Sequence, residues 1–221
     1  MENTLEVRWF FEGLPPAVVQ HWFRLECPGK RLETSEIRKD WYAAIDREHL
    51  DLIRKCLSNA LSREQVNLKL RQKNLELKLR QQEFGTYRFS SSKPRPCEGK
   101  IEQWCKLGEE ELLNFALPSN LQQEIDWIGV EKEREQKIEQ GVKSELTWLK
   151  IDRECWWTIA FEMTRNNFDK QQDSRFQNVV ERACQVYYGP QLLATNSFGY
   201  SHWLLESVPL TMPDKGLGPS Y

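Results

Sequence analysis

Basic side chains recur at every second position in several short stretches of this chain. Residues 66–80 read VNLKLRQKNLELKLR, so Lys69 and Arg71 alternate with Leu68 and Leu70, and Lys78 and Arg80 with Leu77 and Leu79. Near the start Glu6 and Arg8 share one parity, and in the VEKER segment Lys132 and Arg134 share another. Side chains two apart lie on the same face of an extended strand. Cations set side by side repel by about 1 kcal/mol per pair at ~4 Å in water, and by more inside a protein. A polyanion relieves that repulsion, and the arginine fork matches phosphate oxygens two at a time. The pattern therefore suits the holding of a phosphate chain, with glutamates available for a divalent ion that offsets the remaining ligand charge.

Elements must exist that turn these faces toward one another. Leu, Lys, Arg and Glu favour helix in isolation, yet the period over 66–80 is two. An antiparallel hairpin that sets Leu70 against Leu75 also sets Leu68 against Leu77 and Val66 against Leu79. On the other face Lys69 then meets Glu76, Asn67 meets Lys78, and Arg71 meets Asn74; a shift of one residue opposes apolar to charged throughout. Gln72–Lys73 makes a poor two-residue turn, so a four-residue loop over 71–74, with Asn74 left-handed, is expected.

Residues 4–11, 35–45, 100–107, 127–139, 145–151 and 156–164 also read as strands, making eight with the two arms of the hairpin. Helical stripes lie over 15–25, 46–61, 109–115 and 174–187. Asp46 is the N-cap of the second, and Phe176, Val179, Val180 and Ala183 form one face of the last. Helices need an apolar surface to cover. That sends the leucine faces outward and the charged faces inward. The expected fold is α+β, an antiparallel eight-stranded, tunnel-like β-barrel with a charged lumen and flanking helices. It forms a single domain over 1–208, followed by a proline- and glycine-rich tail over 209–221.

Composition narrows the functions. Lys and Arg number 31 against 33 Asp and Glu, and the acids are interspersed with the bases. A nucleic-acid-binding module, with Trp104 and Trp127 stacking bases, is thereby disfavoured. The isolated His21, His49 and His202, and six cysteines without a CxxC, exclude a zinc ribbon. The cysteines are expected as reduced thiols. Neither a Rossmann nor a P-loop glycine pattern occurs. No apolar run approaches the ~18–20 residues of a membrane-spanning helix. The opening MENTLEVRWFF carries an acid where a secretory leader carries basic charge. A cytoplasmic protein without membrane partners is expected.

With these residues in place, the chain resembles the CYTH superfamily, the triphosphate tunnel metalloenzymes, over most of residues 4–164. That family carries ExExK on its first strand, basic pairs on a following hairpin, further bases mid-chain and a late acidic strand. Here Thr4-Leu5-Glu6-Val7-Arg8 matches the first motif, Lys69-Leu70-Arg71 and Lys78-Leu79-Arg80 look like the basic pairs, and Lys132 and Arg134 look like the mid-chain bases. Glu145 and Glu162 look like the late acids. Asp40-Trp41-Tyr42 and the NSFGY segment ending at Tyr200 share the likeness without an assigned role.

The resemblance implies binding, and possible hydrolysis, of a triphosphate, polyphosphate or other phosphoanhydride. Lys69, Arg71, Lys78, Arg80, Lys132 and Arg134 would bind the substrate. Glu6, Arg8 and Glu162 would carry catalysis, and Glu6, Glu145 and Glu162 would hold Mg²⁺ or Mn²⁺. The motif departs at Thr4, a weak neutral ligand where the family has its first Glu. That departure sets a metal-dependent phosphohydrolase against a non-catalytic tunnel that binds a phosphate ligand. On this reading, replacing Arg71 and Arg80 together should weaken anion binding and leave stability unchanged or improved.

Overall fold

The first strand shows how the alternation resolves. β1 (Glu2–Glu12) turns Leu5, Val7 and Trp9 to one side, where they are buried in a shared apolar cluster, and Glu6, Arg8 and Phe10 to the other. The computed structural model describes residues 2–32, 35–57, 61–72, 74–89, 96–113, 124–165 and 170–207. The expected tail over 209–221 lies outside them.

The remaining strands are β2 (Lys30–Arg31), β3 (Glu36–Ala43), β4 (Val66–Arg71), β5 (Asn74–Arg88), β6 (Glu98–Leu107), β7 (Trp127–Glu139), β8 (Val142–Ile151) and β9 (Glu154–Thr164). Their order β7-β3-β4-β5-β6-β1-β9-β8, with β8 returning to β7, closes an eight-stranded barrel whose pairings are all antiparallel. A barrel of this size is just wide enough inside for side chains or one small ligand. β2 pairs with Ile138 and Lys137 on the edge of β7 that β3 occupies from Arg134 onward, so it prolongs β3 without widening the sheet.

The β4–β5 hairpin has the expected register: Val66 opposes Leu79, Leu68 opposes Leu77, Leu70 opposes Leu75, and Lys69 opposes Glu76. Its turn differs from expectation. Arg71 and Asn74 are themselves paired, and Gln72, with φ of 50°, takes the left-handed conformation expected of Asn74. Packing of the leucine face sets the register, and the small cost of a left-handed Gln does not undo it. The β7–β8 hairpin uses Gln140 and Gly141, with φ of 49° and 82°, the double positive φ that matches a right-handed strand twist. β5 runs past the expected end at Gln81 because register shifts after Arg80 and after Glu83 re-phase it against β6.

Five helices are described: α1 (Ala17–His21), which continues as a π-helical turn over Trp22–Glu26, α2 (Arg47–Leu57), α3 (Glu109–Leu113), α4 (Lys170–Val186) and α5 (Tyr200–Ser207). Asp46 caps α2 by accepting the His49 backbone N–H at 2.8 Å. Val19, Trp22, Phe176, Val179, Val180 and Ala183 pack on the outer faces of β1, β8 and β9 through Trp9, Leu146 and Ile159. Leu50, Ile53 and Leu112 cover Leu68, Leu70, Leu77 and Cys105 on β4–β6. Both clusters lie outside the barrel, which leaves the charged faces inside. α5 was not expected, and it fills one end. Trp203 and Leu204 join Phe10, Tyr42, Val130 and Leu149, inward residues of four strands. Among the described residues no helix is long and apolar enough to cross a membrane.

Candidate functional site

Every strand of the barrel contributes to one internal cavity of about 260 Å³. Its wall holds nine basic side chains and five acidic ones. Of the ten residues singled out from the sequence, nine meet there: Glu6, Arg8, Lys69, Arg71, Lys78, Lys132, Arg134, Glu145 and Glu162.

Arg80 does not line the cavity. Its guanidinium bonds Glu102 at 2.6 Å and Glu83 at 3.3 Å, at the place where β5 shifts register. Burial already holds the Glu102 carboxyl above the usual range, with Arg80 and the Trp104 indole N–H working against it. Removing Arg80 would leave a buried carboxylate with the indole alone at 2.9 Å. Arg80→Ala is therefore expected to cost about 2–3 kcal/mol in a urea titration, unlike the unchanged or improved stability that the sequence suggests for replacing Arg71 and Arg80 together.

The cavity wall is a network of ion pairs. Nearest the α5 plug, Lys132 Nζ lies 3.1 Å from Asp40 Oδ2, donates to the Tyr42 hydroxyl, and sits 3.9 Å from the centre of the Tyr200 ring. Arg8 stands 4.7 Å over the same ring. Tyr42 and Tyr200 stack at 5.5 Å, and Phe10 is sandwiched between Phe198 and Trp203. In the middle, Glu145 is saturated. Its Oε1 accepts from Arg134 at 2.7 Å and Gln136 at 2.6 Å, and its Oε2 from Arg8 at 3.3 Å. Arg134 also bonds Glu36, which Arg71 reaches at 3.1 Å. Lys69, directly opposite Tyr42 across β3 and β4, shares Glu76 with Lys106, at 3.0 and 3.1 Å.

Burial and the neighbouring charges shift the protonation of several lumenal groups. Burial, with Arg38 and Arg8, outweighs Asp40 and brings the Lys132 ammonium down to about 7. Burial, with Lys132 and Lys78, brings Lys69 down to about 8. Burial works against the charge of Glu145, but Arg8 and Arg134 prevail and hold it down to about 2. Glu162 moves the other way, raised by burial and by Glu6 and Glu145 against the pull of Lys78.

The residues that the resemblance assigns to a divalent ion do not form a ligand set. Among the described residues no group of three or more His, Cys, Asp or Glu side chains is arranged to hold a metal. Both oxygens of Glu145 are occupied by nitrogen donors, Glu6 Oε1 accepts from Lys78 at 2.5 Å, and Thr4 donates to the same Glu6 oxygen at 3.4 Å. These residues do not fit Mg²⁺ or Mn²⁺, which need several free oxygens around one point.

No family model matches the sequence, and no curated protein matches it. Solved structures similar to it include two archaeal proteins. One is a conserved hypothetical protein from Pyrococcus furiosus, 9% identical, covering 90% of this chain and 98% of its own with a TM-score of 0.45. The other is the PH1819 protein from Pyrococcus horikoshii OT3, 15% identical, covering 92% and 98% with a TM-score of 0.45.

Several lining residues carried no assigned role in the sequence. Arg38 and Tyr42 share a parity on β3, as does Asp40 behind them, and that alternation is the signal by which they could have been found. Lys143 lies in the part of β8 that precedes the expected start at Glu145. Tyr200 enters from the start of α5, and nothing in its local sequence marks it as lumenal.

Proposed function

We propose that this chain binds a short phosphoanhydride of triphosphate size inside its barrel. The observation that carries this is the convergence of nine basic side chains on one interior cavity whose own wall supplies only five acids. At about 260 Å³ the cavity falls below the ~300–1,000 Å³ of sites that enclose drug-sized ligands. That volume suits a short phosphate chain better than an entire nucleotide. The guanidiniums of Arg8, Arg71 and Arg134 suit phosphoryl oxygens. The resemblance of the first-strand, hairpin and mid-chain motifs to CYTH tunnels supports the same ligand class. The cations face inward, which counts against nucleic acid as the partner.

Calorimetric titration with tripolyphosphate tests the proposal. The expected result is one ligand per chain, while single-stranded RNA gives no comparable binding. Absence of heat with tripolyphosphate would overturn it.

One observation favours turnover as a second reading. Glu162 is the lumenal carboxylate held by the longest ion pair, 3.9 Å from Lys78, and its pKa is raised by burial and the neighbouring acids. Such a carboxylate beside a bound phosphate can accept a proton from attacking water. Hydrolysis of this kind predicts phosphate release that falls about 100-fold in Glu162→Gln while binding persists. Wild-type protein that binds tripolyphosphate but releases no phosphate would leave the site a binding site alone.

A further inference from the structure

Resting on that reading of the cavity, we propose that the barrel takes its phosphate chain as the bare anion, with the Lys78 ammonium standing between Glu6 and Glu162 in the place of a divalent ion. The register makes such a cation necessary. β1 and β9 pair Glu6 directly with Glu162, on the lumenal face. Like charges directly opposite on neighbouring strands destabilise the pairing. Lys78 reaches across the lumen from β5 and supplies the counter-charge, its Nζ 2.5 Å from Glu6 Oε1 and 3.9 Å from Glu162 Oε1.

A lysine ammonium can fill this role because it is a compact point charge with three N–H donors. One goes to Glu6, which leaves donors to turn toward a ligand. The two carboxylates hold the ammonium charged although it is buried. The third lumenal acid in this region, Glu145, has both oxygens engaged by Arg8, Arg134 and Gln136. A divalent ion entering here would have to displace Lys78 and stand beside Arg8. Mg²⁺ also prefers six oxygens in near-octahedral order and sheds its water reluctantly, while nitrogen donors already hold both oxygens of Glu145 and one of Glu6.

The two modes of binding differ in the sign of the magnesium effect. A site that bridges its ligand through metal binds more tightly when Mg²⁺ is added. A site that holds the bare anion competes with Mg²⁺ for the phosphate oxygens and binds more weakly. Titration of the wild-type chain with sodium tripolyphosphate in EDTA and again in excess MgCl₂ separates them. The expected result is binding in EDTA that weakens about tenfold or more with Mg²⁺. Binding that requires Mg²⁺, or is tightened by it, would overturn the bare-anion inference and leave the phosphate site standing. No binding in either buffer would remove both.

Electron paramagnetic resonance of Mn²⁺ mixed with the ligand-free chain gives an independent readout. The wild type is expected to leave the ion free in solution, and Lys78→Met is expected to gain a bound Mn²⁺ at the exposed Glu6–Glu162 pair. Mn²⁺ bound by the wild type, or a folded Lys78→Met chain that takes up none, would overturn the assignment to Lys78.

Discussion

Asp40→Asn is expected to destabilise the ligand-free protein by about 3–5 kcal/mol, the cost of breaking a buried ion pair from one side. Asp40 is 0% exposed, and its two oxygens face Arg38 at 2.9 Å and Lys132 at 3.1 Å. Burial opposes its charge, yet Lys132, Lys69 and Arg38 together hold its pKa down to about 2. The carboxylate is therefore held in its charged form near neutral pH. Its amide replacement keeps the shape and removes the charge that balances Lys132 and that, with Glu36, balances Arg38. Against a domain stability of ~5–15 kcal/mol the loss is large.

Urea unfolding at pH 6, where Lys132 keeps its proton, measures the loss directly. Excess tripolyphosphate should recover part of it, because an anion in the lumen supplies the missing negative charge and binds only the folded state. A loss under about 1 kcal/mol, of the size seen for exposed pairs, would mean that these cations are solvated and that the lumen is not the enclosed site described above.

The second large effect is a pH dependence with opposite signs for stability and for binding. Lys132 and Lys69 titrate near 7 and near 8 in the folded chain, below the ordinary 10.5 of an unfolded lysine. Between those values the unfolded chain holds more protons than the folded one, so stability rises with pH. The gain begins near pH 7 as Lys132 sheds its proton, grows above 8 as Lys69 follows, and ends near 10.5.

An anion reverses the preference, because it favours the charged lysines. Its binding takes up protons. Affinity should fall by about tenfold per pH unit above 7 and more steeply above 8, one factor of ten for each lysine that must be recharged. Sulfate is a suitable control, since its own charge is constant over this range. Thermal unfolding across pH checks the first half, and titrations in buffers of different ionisation enthalpy check the proton uptake. Affinity that is flat from pH 7 to 9 would place the ligand away from Lys132 and Lys69.

Much of the fold was legible in the primary structure. The β4–β5 register follows from sorting six apolar side chains to one face, and only one alignment does so. Trp127–Glu139 reads as one strand, and β7 spans those same residues. The turn at Gln72 was less legible, since a left-handed Gln is tolerated only under strand pairing that no local preference reports. Glu131, Glu133 and Glu135 share one parity in the sequence. Yet Glu135 is buried and bound by Arg24 at 2.5 Å, because the turn after α1 happens to cover that end of β7. Arg80 reads like Arg71 and keeps the parity of Lys78 opposite Trp104, but its guanidinium is taken up by Glu102, just before β5 shifts register.

By itself, then, the order of residues determined which faces are greasy and which are charged, because alternation with period two needs nothing beyond the extended backbone to sort side chains. It also determined the sign of the lumen, once the helices had to have leucines to cover. What only tertiary structure decided is pairing across distance. Lys78 meets Glu6 and Glu162, Glu145 is taken by two arginines, and Tyr200 arrives from a helix at the far end of the chain to roof Lys132 and Arg8. Those meetings depend on barrel curvature and on long-range closure of the sheet, which place side chains from strands remote in sequence within bonding distance.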